Sequence, residues 1–207
     1  MVYKNLVLSG GGIKGYSYIG VFKALNETDR IKDINHIVGT SAGSLFGILL
    51  CLKFTYDEIY KIMKNIDIKN KININDPDLD IISNLFYNYG IETTLEFERI
   101  YKIFIKRKFK KTNISFKELY NQTQIKFTIV TTNLSKNQTE YFNVDLSPDM
   151  DILLALQMSI SIPFFFNPII YNNNYYVDGA LTNNFAIDFF DKDIEETLGI
   201  SIFSRDE

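Results

Sequence analysis

One cysteine, one histidine and no long apolar run: each scarcity in this 207-residue chain removes a class of protein. A lone Cys51 can form neither an internal disulfide nor a cysteine-based zinc cage. The opening MVYKNLVLSGGG is too short in apolar length to be a signal peptide, so a reduced, intracellular setting is expected. The longest apolar run, residues 45–52, falls far below the roughly 18 residues of a membrane span, and no transmembrane segment is expected. A net charge of −3, from 22 basic and 25 acidic residues, supplies no basic field for nucleic acid and no acidic excess that would favour disorder. No His, Asp and Glu set shows metal-ligand spacing, so neither metal nor cofactor is expected. Repeats, heptads and linkers are also missing. With 46% hydrophobic residues the chain has material for one core, and residues 1–207 are expected to form a single domain without a further regulatory or membrane-targeting module.

What is present reads as alternating strands and helices. Residues 4–9 (KNLVLS) form an apolar run ending in glycines, the mark of a buried strand entering a tight turn. Residues 15–26 then space Ile19, Phe22 and Leu25 as one helix face, residues 36–39 (HIVG) read as a second strand, and residues 41–53 (SAGSLFGILLCLK) as a buried helix. This order implies an α/β fold, a mainly parallel sheet covered by helices, with both glycine turns at the carboxyl edge of the sheet. Helical spacing recurs over 56–66 and 92–109, around a polar surface excursion at 67–80. A strand pair is expected at 126–132 and 138–144, a helix at 151–161 ending before Pro163, a hairpin at 169–171 and 175–178, and a last strand at 198–203. Asparagine is over-used along the whole chain and carries little local weight. The basic run at 106–111 (KRKFKK) reads as a solvated helix end.

Two glycine motifs carry the chemistry. Gly10, Gly12 and Gly15 satisfy G-x-G-x-x-G, the dinucleotide fingerprint, so an oxidoreductase is one reading. Yet the end of the next strand, where an acid would bind ribose, holds Gly39-Thr40-Ser41-Ala42-Gly43 instead. That is G-x-S-x-G between a strand and a helix, the setting of a nucleophile elbow; a plain strand-to-helix turn capped by Thr40 or Ser41 is the alternative. A nucleophilic serine needs a base. His36 lies about 16 Å upstream along an extended strand and cannot join Ser41 in a triad. The base must then be a carboxylate or a lysine, and Asp178, ending an apolar strand at Asp178-Gly179-Ala180, is the best carboxylate, although Asp-Gly is also ordinary turn chemistry.

Together GGGIKG, GTSAGS, DGA followed by Asn183-Asn184, and SISIPFFFNP at 159–168 resemble the patatin-like phospholipases over about residues 5–203. The resemblance implies a three-layer sandwich with helices on both faces of the sheet, and lipid acyl hydrolysis by a Ser-Asp dyad. Ser41 would be the nucleophile within the Gly39 to Gly43 elbow and Asp178 the base. Gly10, Gly11, Gly12, Lys14 and Gly15 would form the oxyanion loop, and a further N–H would come from Ala42. Lys14 stands where the family usually has arginine, keeping the charge but losing the planar fork. A catalytically silent family member acting as a binding or scaffold protein is the alternative. The implied partner is a phospholipid or acylglycerol at a membrane surface, met by peripheral contact. Phe164, Phe165 and Phe166 are candidates for an apolar rim, with plain core the favoured reading for at least two of them; residues 45–52 are expected to be core and no lipid slot.

Overall fold

The computed structural model describes residues 2–67 and 94–203. Most of the excursion expected at 67–80, and the first two residues of the helix expected at 92–109, lie outside that range. Four parallel strands form the centre of the sheet in the order β7 (Thr197–Ile200), β1 (Asn5–Leu8), β2 (His36–Thr40) and β3 (Lys126–Asn133). Strand β4 (Gln138–Phe142) runs antiparallel to β3, as does β6 (Asn174–Asp178), and β5 (Ile169–Tyr171) completes a hairpin with β6. The hairpin turns on Asn172 and Asn173, both at positive φ (46° and 59°), the left-handed pair that a two-residue turn of this hand requires and that asparagine tolerates. Two members of the discounted asparagine cluster thus have a local use.

Alternation along the strands divides the interior. Leu6, Leu8, Ile37, Phe127 and Ile129 join the main core beneath the helices, while Val7, Val38 and Val130 join a second, smaller cluster with Ala186 and Phe190. Helices α1 (Tyr18–Glu27), α2 (Ala42–Cys51), α3 (Tyr56–Asp67), α4 (Thr94–Phe109), α5 (Phe116–Thr123) and α6 (Ile152–Ile160) contribute to the first. Among the described residues the second is covered by Phe185 and Ala186 and by a 3-10 segment at Ile187–Glu196, while the four-residue α7 (Ala180–Asn183) adds nothing to it. Both faces carry helices, as expected, but unequally.

Two of the departures from the sequence reading lie beside the glycine loop. Chain entry into α1 is a 3-10 turn, Gly12–Ser17, before the α-helix proper. Glycine-rich sequence favours α-helix poorly, and the tight turn presses Gly15 onto Ala42 and Phe46. The last strand stops at Ile200, because the Ile202 N–H donates to the Ser9 hydroxyl (2.8 Å) and leaves the ladder. His36 opens β2, where its Nε2 pairs with Thr128 Oγ1 at 2.9 Å and its ring meets Phe189 and Phe190 edge-on. The basic run ends α4, and Lys108 lies over the Phe54 ring and pairs with Glu58.

Register on β3 is what positions the site. Its 129–133 half gives one edge to β4, so β2 and β6 must share the other edge. Strand β2 pairs along 126–130 and β6 along 131–133 from the opposite direction. The two therefore meet end to end: Thr40 faces Val130, Asp178 faces Thr131, and the residues after them leave the sheet side by side.

Candidate active site

Ser41 sits at that meeting point with φ 50° and ψ −120°, a conformation that a non-glycine residue adopts only at a cost of about 1–3 kcal/mol. Its neighbours show why the pattern needs glycine. A Cβ on Gly39 would lie 2.6 Å from the Ser44 backbone, and one on Gly43 would lie 2.2 Å from the Leu8 carbonyl oxygen. The turn is held by the Ser41 carbonyl, which accepts from Ser44 N (2.9 Å), Ser44 Oγ (2.6 Å) and Leu45 N (3.2 Å) as α2 begins.

The Ser41 hydroxyl donates to Asp178 Oδ2 at 2.6 Å. The other carboxylate oxygen accepts from Ala180 N at 2.8 Å. Backbone bonds fix the aspartate in turn, its N–H donating to the Ser161 carbonyl (2.9 Å) and its carbonyl accepting from Thr132 Oγ1 (2.9 Å). Gly179 must lack a side chain, since a Cβ there would lie 2.4 Å from Val130 O. Burial raises the Asp178 pKa from 3.8 to about 6, against the two hydrogen bonds that lower it. The carboxylate is thus a stronger base than a solvated one, yet ionised at neutral pH. Geometry and basicity together can move a proton from Ser41.

Ser159 completes the elbow. Fully buried near the end of α6, its hydroxyl accepts from Ser41 N (3.0 Å) and donates to Val130 O (2.7 Å). Beyond Thr40 the elbow swings away from β3, and this single oxygen bridges the two strands where the ladder stops. Sequence reading assigned Ser159 no bond. The available signal was a hydroxyl inside a mostly apolar buried helix, where Gln157 is the other polar residue; the bond joins residues 118 apart, beyond any spacing rule.

The glycine loop lies against the serine. A Cβ on Gly10 would be 3.3 Å from Ser41 Cβ and 2.3 Å from Asn184 Oδ1, and the Gly10 N–H donates to Asn184 O at 3.1 Å. Gly11 and Gly12 open the 3-10 turn, with Gly12 at φ 51°, and Ala42 is the first residue of α2; their N–H groups precede the first intrahelical bonds. Gly15 is a packing glycine, and Lys14 is exposed on the turn. Tyr18 anchors the loop from behind, its hydroxyl donating to Ser9 O at 2.6 Å.

A cavity of about 370 Å³ opens beside Ser41. Among the described residues its wall is almost wholly apolar, from Ile13 and Ile162 at the surface to the buried Ile100 and Phe104. Two expectations are overturned here. The amino-terminal turn of α2 is no mere core, because Ala42, Leu45 and Phe46 line the cavity. Nor are two of the three phenylalanines core: Phe164 and Phe165 are exposed, and Phe166 lines the cavity. The SISIPFFFNP segment leaves α6 through a turn that faces outward, where no described residue covers the Phe164 and Phe165 rings.

A family model described as patatin-like phospholipase matches residues 6–191. The chain belongs to the patatin-like phospholipase family. This patatin-like chain is 34% identical over 206 residues to an uncharacterized protein of Acanthamoeba polyphaga mimivirus, covering 99% of itself and 67% of that protein. It is 33% identical over 195 residues to a probable lipid hydrolase of Invertebrate iridescent virus 6, covering 90% of itself and 62% of the relative. Among solved structures, VipD from Legionella pneumophila superposes with a TM-score of 0.61 at 20% identity, over 89% of this chain and 47% of that one. The type III effector protein ExoU of Pseudomonas aeruginosa gives 0.53 at 20% identity, over 76% and 40%. At such identity these two structures establish the patatin fold alone. The chain thus spans about two thirds of its viral relatives and under half of these two solved structures.

Proposed function

We propose that this patatin-like chain hydrolyses carboxylic esters of lipids through a covalent acyl-enzyme on Ser41, with Asp178 as the base. The observation that carries the reading is the 2.6 Å bond from Ser41 Oγ to a buried carboxylate, made at a strained elbow beside an apolar cavity. The similar viral protein described as a probable lipid hydrolase supports it.

In the first step Ser41 Oγ bonds to the ester carbonyl carbon while its proton passes to Asp178. Negative charge develops on the carbonyl oxygen, and the N–H groups of Gly11, Gly12 and Ala42 are the donors proposed to receive it, each worth about 3 kcal/mol of barrier. The N–H of Ser41 itself is taken by Ser159 and that of Gly10 by Asn184, so neither contributes. Collapse of the adduct breaks the ester C–O bond, and the departing alcohol takes the proton back from Asp178. Water then attacks the acyl-enzyme, again giving its proton to Asp178; the bond from the acyl carbon to Ser41 Oγ breaks, Oγ takes that proton back, and a free fatty acid leaves with the dyad restored. The apolar cavity receives the acyl chain.

A fluorophosphonate probe tests the reading. Labelling of the wild type that disappears in Ser41→Ala, together with hydrolysis of p-nitrophenyl esters by the wild type alone, is the expected result. Labelling retained by Ser41→Ala would reassign the nucleophile. An unlabelled, inactive wild type would favour a silent scaffold.

A further inference from the structure

Residues 152–177 contain no Asp, Glu, Lys, Arg or His, in a chain that is 23% charged. The first part of this uncharged stretch is the buried helix α6, which explains itself. The next part does not: Phe164 is 105% and Phe165 79% exposed. Phe164 also has φ 71°, a backbone conformation that an aromatic residue rarely adopts, so its outward ring is not a relaxed default. On either side of these two rings in sequence, Ile162 and Phe166 line the cavity beside Ser41. A distant segment meets the same opening, since Ile13, on the glycine-loop turn, also lines the cavity and is 89% exposed. The apolar surface outside is therefore continuous with the apolar wall inside.

We infer that the Phe164-Phe165 turn, with Ile13 and Ile162, forms a docking face for an uncharged or zwitterionic lipid surface, set at the mouth of the cavity. The inference rests on the lipid-ester reading for its purpose, but binding is independent of catalysis. Two features decide the occupant. An ester embedded in a lipid aggregate reaches Ser41 without crossing water when the cavity mouth itself lies in the apolar layer. The Phe164-Phe165 turn contributes no charge, so its attachment comes from burial of aromatic and aliphatic surface. The exposed Lys14, next to Ile13 in sequence, adds a cation whose attraction to anionic headgroups the salt arm of the test screens.

The test uses Ser41→Ala protein, which cannot consume the membrane, in sedimentation with phosphatidylcholine vesicles and with vesicles containing phosphatidylserine. Binding to phosphatidylcholine that persists at about 0.5 M salt, where surface charges are largely screened, is expected. The double variant Phe164→Asn, Phe165→Ser, in which asparagine tolerates the positive φ, should bind at least about tenfold more weakly. In the Ser41 background the same double variant should hydrolyse a short, soluble ester as the parent does, which shows that the fold is intact. Vesicle binding unchanged in the double variant, or confined to phosphatidylserine at low salt, overturns the inference. So does light scattering that shows a dimer which the double variant dissolves, since the face would then join two copies of the chain. If no ester is hydrolysed by any form, the hydrolase reading fails, while the vesicle measurement still decides the docking face.

Discussion

Replacing Asp178 by asparagine should make the protein more stable at neutral pH while abolishing its chemistry. The carboxylate is buried and its pKa stands at about 6, against 3.8 for the ordinary group. In the unfolded chain Asp178 ionises near 3.8, so between that value and about 6 the native state holds more protons than the unfolded one. Stability must therefore fall as pH rises across this window. At 1.36 kcal/mol per pH unit the loss reaches about 3 kcal/mol above pH 6, and below pH 3.8 there is none. Asparagine has nearly the same shape and no charge to bury, and it can still pair with Ser41 or Ala180. Urea unfolding of wild type and Asp178→Asn at a series of pH values from 4 to 7.5 isolates the effect, because every other group titrates equally in both. The two curves should coincide near pH 4 and separate to about 3 kcal/mol in favour of the variant at pH 7.5. The wild-type rate of ester hydrolysis should rise through a limb near pH 6, as the base ionises, and the variant should lose at least about 100-fold in kcat. A variant no more stable than wild type at pH 7.5, or a difference independent of pH, would refute the account of a desolvated base.

Ser159→Ala leaves the buried Ser41 N–H and Val130 carbonyl unpaired, at a cost of about 1–3 kcal/mol in stability. Because the Ser41 hydrogen bond lowers the Asp178 pKa, a displaced elbow should also move the acid limb of the pH–rate profile upward, which a purely structural loss would not do. Gly43→Ala drives a Cβ to 2.2 Å from the Leu8 carbonyl oxygen, a rigid backbone atom, and thermal unfolding should show destabilisation of about 3 kcal/mol or more.

Much of this protein was legible in its residues. Apolar runs ending at GGGIKG and GTSAGS gave the order strand, helix, strand, helix, since buried parallel strands and their crossover helices need just such patterns. Composition settled that the lone histidine could not serve Ser41, because strand geometry places His36 at the far end of β2. Phe164 and Phe165 were misjudged for a general reason: hydrophobicity predicts burial only on average, and an aromatic at the turn after α6 is free to point either way.

What the sequence alone determined was local: which segments become strands, where backbone must bend without a Cβ, and which side chains carry an oxygen able to attack or a carboxylate able to accept a proton. Tertiary structure decided what no spacing could state. Because β3 is longer than β2, its free end accepts β6 from the opposite direction, and that register brings Asp178 to Ser41 across 137 positions of chain. The same packing excludes water from the carboxylate and raises its pKa, an effect of burial that belongs to the folded surroundings and not to the aspartate itself.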